Sequence, residues 1–214
     1  MSSPVIKAAP IVTYNATIPA SYGTGNPDNG WTEATVTLPN NGDTISLALR
    51  AQVRYGAVEP SDGAGDYSAA AGYGISPDAT WNFVFSISDS AGFNMTSLEG
   101  NAGVYYHLSS TGLDPFSAFD PLLIPDDAFG SSLTVAQNSE NIGFSSLGGD
   151  PTVSGVYTYL LTASNVDGTV YDSVAINVDV GSVPDTASTI LLAAFGFGLL
   201  FVFSRSLGLK RVRS

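Results

Sequence analysis

At 214 residues the chain has room for one domain with a substantial core and a short appendage, and not for two generous domains. Apolar residues make up 44% and charged residues 12%, which excludes a highly charged disordered chain and a multi-span membrane protein. The net charge of −12 is asymmetric: Arg205, Lys210, Arg211 and Arg213 stand near the C-terminus, and Lys7, Arg50 and Arg54 are the only cations before them. A body so poor in Lys and Arg repels phosphate backbones, so nucleic acid is not an expected partner.

In chain order, the opening stretch MSSPVIKAAP holds one Lys and no apolar run of the kind a secretory signal needs. Export of this chain therefore requires a start upstream of Met1 or a leader already removed. Trp31 to Leu38 and Asp43 to Tyr55 alternate apolar with polar residues around the turn Pro39-Asn40-Asn41-Gly42, which predicts a hairpin. Glu59 to Asp78 is rich in Gly, Asp and Ala and reads as a long surface loop without regular elements. Trp81, Phe83, Phe85 and Ile87 alternate with Asn82, Val84, Ser86 and Ser88, a strand with one aromatic face for the core. Val104 to Leu108 reads as a further strand, and Asp114 to Asp127, rich in Pro and Asp, as a second long loop. Gly155 to Ser164 and Thr169 to Val180 flank Asn165-Val166-Asp167-Gly168, a second hairpin expected to end the sheet.

Short strands with no amphipathic helix between them, together with 23 glycines, predict an all-β fold: an antiparallel β-sandwich, Ig-like or jelly-roll-like, over residues 1–181. Zero Cys removes disulfides, thiolate metal sites and Cys nucleophiles.

His107 is the single histidine, and Gly143-Phe144-Ser145-Ser146-Leu147 misses the Gly-x-Ser-x-Gly nucleophile pattern, so an ordinary strand histidine is expected. Asp114, Asp120, Asp126 and Asp127 are the acids that a glycan-cleaving pair or a Ca²⁺ site would draw on. Ser61-Asp62-Gly63-Ala64-Gly65-Asp66 has two acids but no calcium-loop ladder. With most acids beside Gly, Pro, Asn or Ser, solvated turn carboxylates are the simpler expectation. The tyrosines, among them Tyr14, Tyr22, Tyr55, Tyr67 and Tyr73, serve a core or, where exposed, stack on sugar rings or partner proteins. The expectation is a non-enzymatic domain with no cofactor, no catalytic residues and no metal ligands.

From Thr186 to Ser204 there is no charge, and at ~1.5 Å of rise per residue the segment nearly spans a ~30 Å hydrocarbon core. Lys and Arg follow at once, marking Arg205, Lys210, Arg211 and Arg213 as a cytoplasmic basic tail and the body as external. Val183-Pro184-Asp185-Thr186-Ala187-Ser188-Thr189 precedes the span, with Pro184 separating domain from helix. This order of Val-Pro-acidic motif, apolar helix and basic end in residues 182–214 resembles the PEP-CTERM class of sorting signals. It is similar in particular to the Val-Pro-Asp-Ser-Gly-Ser-Thr variant, with Thr186 and Ala187 replacing Ser and Gly. The stretches at residues 40–55, 136–144 and 155–178 also resemble an uncharacterised family of PEP-CTERM-tagged ectodomains.

The resemblance implies a cell-envelope protein of a Gram-negative-type bacterium, anchored first in the inner membrane and processed by an exosortase-type transpeptidase. It implies a structural, adhesive or exopolysaccharide-associated role, with exopolysaccharide or other surface proteins as further partners. The alternatives are a carboxylate-dependent glycan-active enzyme on the surface and a tail-anchored membrane protein with a cytosolic body.

Overall fold

The computed structural model describes residues 9–181 except 22–25, 40, 76, 95–98, 101–102, 114–117, 124–127, 130–132, 145–146 and 148. The chain divides into the units Met1–Gly181 and Ser182–Ser214, and the second lies outside the described residues. The first is all-β. Its strands are β1 (Ile11–Ala16), β2 (Trp31–Thr37), β3 (Thr44–Val53), β4 (Asp66–Ala70), β5 (Trp81–Asp89), β6 (Phe93–Asn94), β7 (Glu99–Gly100), β8 (Tyr105–Gly112), β9 (Ala128–Phe129), β10 (Val135–Glu140), β11 (Gly155–Ser164) and β12 (Val170–Gly181). The 3₁₀ turn Pro121–Leu123 lies between β8 and β9.

A six-stranded sheet runs β1-β2-β3-β5-β10-β9 and a four-stranded sheet runs β4-β12-β11-β8, with β6 and β7 as a small separate pair. The β2–β3 hairpin forms where the alternation predicts it, closed by Leu38 N–H to Asp43 O at 2.7 Å and Gly42 N–H to Leu38 O at 2.9 Å. Gly42 has φ 79°, a conformation that a side chain resists. The β11–β12 hairpin likewise runs in register from Gly155↔Val180 to Leu161↔Val174.

The two sheets face one another across the core. Trp81, Phe83, Phe85 and Ile87 of β5 point inward beside Leu47, Leu49 and Ala51 of β3, and all are fully buried. From the other sheet, Tyr157 meets Trp81 edge-on at 5.5 Å between ring centroids, and Tyr159 stacks on Phe83 at 4.1 Å. Aromatic pairs of this kind add about 0.5–1.5 kcal/mol each beyond the apolar area they bury.

Four sequence expectations are corrected. Glu59 to Asp78 is not wholly irregular: β4 lies inside it, with Tyr67 and Ala69 turned inward. Its alternation is carried by Ala and Ser, which give little apolar signal. The second hairpin does not end its sheet, because β4 adds to the outer edge of β12, and it does so in parallel, from Asn177↔Asp66 to Gly181↔Ala70. The sheet is therefore mixed rather than antiparallel throughout.

β5 is also covered on its second face. Asn82 is buried against Ser139 and Asn141, and Val84 and Ser86 are buried where the segment after β1 crosses the outside of the six-stranded sheet. There Ile18 and Ala20 pack against a second cluster of Trp31, Ala48 and Val84. Gln137 holds this strap: its Nε2 donates to Pro19 O and Ser86 Oγ, both at 3.0 Å, and its Oε1 accepts from Ser21 N–H at 2.7 Å. Finally, several acids are buried rather than solvated, namely Glu59, Asp89, Glu140 and Asp172.

Candidate functional site

The sorting motif Val183, Pro184, Asp185, Thr186, Ala187, Ser188 and Thr189 and the basic residues Arg205, Lys210, Arg211 and Arg213 lie outside the described residues, as do Asp114, Asp126 and Asp127. Among the described residues no helix is long and apolar enough to cross a membrane. Asp120 is half-buried, its Oδ1 accepts from Leu122 N–H at 2.9 Å, and burial raises its pKa, opposed by that bond and by the charge of His107. His107 itself is exposed on β8. Asp62 caps a turn: its Oδ1 accepts from Ala64 N–H at 2.7 Å and Asp66 N–H at 3.2 Å. Of the tyrosines, Tyr67 is core, whereas Tyr14, Tyr55 and Tyr73 are exposed.

The structure assembles a cleft that the sequence does not announce. After β3 the chain turns tightly at Val53–Gly56, with Tyr55 at φ 58° and Val53 N–H bonded to Ala57 O at 2.8 Å. It then runs back along β3, where Val58 bridges Gln52 and Glu59 N–H donates to Ala51 O at 3.1 Å. This backtrack fixes Glu59 beside the start of β2 and β4. Around it a cleft of about 320 Å³ is lined by Asn15, Asn29, Thr32, Ser61, Asp62 and Tyr67, with Gly30, Val58, Gly63 and Gly65.

Each wall has a local cause. Asn15 sits where the β1–β2 register slips between Thr13 and Ala16, and its φ of 54° is one that Asn tolerates better than most residues. Tyr67 Oη donates to Gly30 O at 2.6 Å and lies 3.3 Å from Thr32 Oγ1, so its hydroxyl ties β4 to β2. Gly30 has φ 80°, and a Cβ there would press on Val58 at 2.6 Å, so only glycine lets the backtracking loop close against β2. Beneath, the fully buried Arg50 lies over the Trp31 ring at 4.2 Å and donates to Asn29 O at 2.9 Å and to Gln52 Oε1 at 2.9 Å.

Glu59 is 9% exposed, and no described side chain or backbone group hydrogen-bonds its carboxyl. Burial pushes its pKa up to about 7. Near neutral pH it is thus shared between a neutral acid that can donate a proton and a carboxylate that can only accept. Such a group is chemically equipped to hydrogen-bond a ligand in either sense.

The topology separates this cleft from the lone histidine. β4 and β8 are opposite edges of the four-stranded sheet, with β12 and β11 between them. At ~4.8 Å per strand the two edges stand about 14 Å apart, and His107 is not among the residues that line the cleft. Sequence reasoning missed Glu59 because Ala57-Val58-Glu59-Pro60 carries no motif; the one available signal is an acid flanked by apolar residues on both sides.

No protein-family model matches the chain, no curated protein matches its sequence, and no solved structure matches its fold.

Proposed function

We propose that this is an exported bacterial surface protein, carried to the envelope by a C-terminal sorting tail and serving there in a structural or binding role rather than in catalysis. One observation carries the reading: the Val183-Pro184-Asp185 motif, the uncharged run to Ser204 and the basic end from Arg205 follow in an order that resembles an exosortase substrate. The span is a single helix over residues 186–204, inserted with the basic end cytoplasmic. The body is a β-sandwich, Ig-like or jelly-roll-like in layout, displayed outside the membrane. The expected partners are the transpeptidase, the membrane and surface polymers or proteins.

A fusion at Ser214 of a reporter that works only outside the cytoplasm tests the orientation. It is expected to be inactive, and activity would overturn the topology in favour of a tail-anchored chain with a cytosolic body.

A second reading, a glycan-active enzyme, is favoured by Glu59, since a carboxylic acid held near neutrality by burial is what a general acid requires. It also needs a partner carboxylate, and the nearest lining acid, Asp62, has an oxygen engaged as a turn cap. The expected outcome on a broad glycan and ester panel is no turnover. Turnover that Glu59→Gln abolishes while the melting temperature holds would establish the enzyme instead.

A further inference from the structure

We propose that the Glu59 cleft is a binding site for a neutral, hydroxyl-rich ring, one or two units of a saccharide, with Glu59 as its buried hydrogen-bonding anchor and Tyr14 as an aromatic wall at its lip. The inference rests on the binding role proposed for the body and is independent of how the tail is processed.

Size speaks first. A cleft of about 320 Å³ has roughly ten times the ~30 Å³ share of one water and falls at the lower end of small-molecule sites. A bare ion does not fill it. Calcium also asks for six to eight oxygens, roughly, at bonding distance. The lining offers two carboxyl groups, of which Asp62 already spends Oδ1 on two backbone amides.

The character of the lining speaks second. Asn15, Asn29, Thr32, Ser61 and Asp62 supply polar side chains on several sides, while no Lys, Arg or His lines the cleft among the described residues. Arg50 lies near but gives its guanidinium to the carbonyls of Pro27 and Asn29 and to Gln52. An anionic ligand therefore meets negative charge with no accessible counter-charge, and a neutral polyol meets hydrogen-bonding groups.

Two further features point to a ring. Glu59 is 9% exposed, no described group hydrogen-bonds its carboxyl, and it lines the cleft, so a ligand hydroxyl can take up that free hydrogen-bonding capacity. Tyr14, half-exposed, comes within 3.5 Å of where a Cβ on Gly65 would stand, so its ring edge borders the cleft. An exposed aromatic beside polar groups suits a sugar, which presents C–H faces and hydroxyl edges together.

Proton linkage supplies a signature. The titratable and charged groups around Glu59 are Asp62 on its own loop, Tyr67 from β4 and Arg50 from β3, and burial dominates the shift of Glu59 itself. A neutral ligand that buries the carboxyl further favours its protonated form, so affinity falls as pH rises past about 7.

The test uses the full chain, purified in a detergent without a sugar headgroup, and calorimetry with four probes: a neutral hexose disaccharide, an N-acetylhexosamine disaccharide, a uronate disaccharide and calcium chloride. At least one neutral disaccharide is expected to bind, with the uronate about tenfold weaker and affinity about tenfold lower at about pH 9 than at about pH 6. Glu59→Ala is expected to lose about tenfold, Glu59→Gln to bind at both pH values without the drop, and the half-exposed Tyr14→Ala to lose severalfold at an unchanged melting temperature. No binding of either neutral probe, binding indifferent to Glu59→Ala and Tyr14→Ala, or calcium binding that Glu59→Gln abolishes would each overturn the proposal. A chain that reaches the cell surface yet binds no sugar sinks this inference alone and leaves the sorting reading standing.

Discussion

Glu59 destabilises the folded body once it ionises. Its pKa is raised to about 7 from an ordinary 4.5, so the folded state holds a proton that the unfolded state has released over that interval. Stability relative to a neutral side chain is therefore fully present below about pH 4.5 and is lost as pH rises through about 7, by up to ~3 kcal/mol for a shift of this size. Glu59→Gln is expected to match the parent in urea unfolding at about pH 4 and to exceed it by about 1–3 kcal/mol at about pH 8. An equal gap at both pH values would show that Glu59 does not titrate in this interval. Asn141 makes the opposite kind of contribution. Fully buried, it donates from Nδ2 to Trp81 O at 2.9 Å and to Asn82 Oδ1 at 2.6 Å and accepts at Oδ1 from Ala79 N–H at 2.7 Å and Gly143 N–H at 2.9 Å. Asn141→Ala leaves several of these groups unpaired and is expected to destabilise by about 2–4 kcal/mol in the same assay, with Asn141→Asp no rescue because it loses the donors.

Among the elements, the strap after β1 is tied to the sheet by Gln137 and to the following loop by Asp28, which accepts from Ile18 N–H at 2.7 Å and Ala20 N–H at 2.9 Å. Gln137 joins Pro19 and Ser21 to Ser86, and Gln137→Ala is expected to release residues 17–21, seen as new protease cleavage there and a loss of about 1–3 kcal/mol. Unchanged protection would mean that the apolar contacts of Ile18 and Ala20 and their bonds to Asp28 hold the strap without Gln137. The strap also marks where the sequence stops being readable. The two hairpins are legible because alternation and Gly-containing turns are local signals, and Trp81, Phe83 and Phe85 announce a core face by size. β4 is not legible, since Ser68, Ala69 and Ala70 have too little apolar contrast and its partner lies about a hundred residues away. The burial of Val84 and Ser86 is equally hidden, because it depends on a covering segment that no pattern within β5 predicts. The cleft is illegible for the same reason: Asn15, Asn29, Glu59 and Tyr67 come together only through the backtrack after β3 and the parallel docking of β4. Reading acids as solvated turn residues held for Asp62, which caps a turn, and failed for Glu59 and for Asp89, which caps a turn at Ala91 N–H but is buried. Asp89 illustrates why, for it is buried under Tyr106 Oη, which donates to it at 2.6 Å from a strand well downstream.

For the whole molecule, charge divides the chain as sharply as structure does. The body holds Lys7, Arg50 and Arg54, and four basic residues close the chain beyond the uncharged run. If that run spans a membrane, the two lysines, Lys7 and Lys210, stand on opposite sides of it. Arg50 and Arg54, buried or nearly so in the body, take no part in orientation: Arg54 pairs with Asp78 at 2.7 Å, and Arg50 lies against Trp31. On the proposed topology orientation rests on the tail, and reversing its charge by changing Arg205, Lys210, Arg211 and Arg213 to Glu is expected to lower surface display without changing the unfolding of the body. The measurement that tests export most directly is labelling of intact cells with a membrane-impermeant amine reagent, followed by peptide mass spectrometry before and after lysis. Lys7 is expected to react on intact cells, with Lys210 either unreactive until lysis or removed with the tail. Labelling of Lys210 with Lys7 protected would contradict the account and place the body inside the cell.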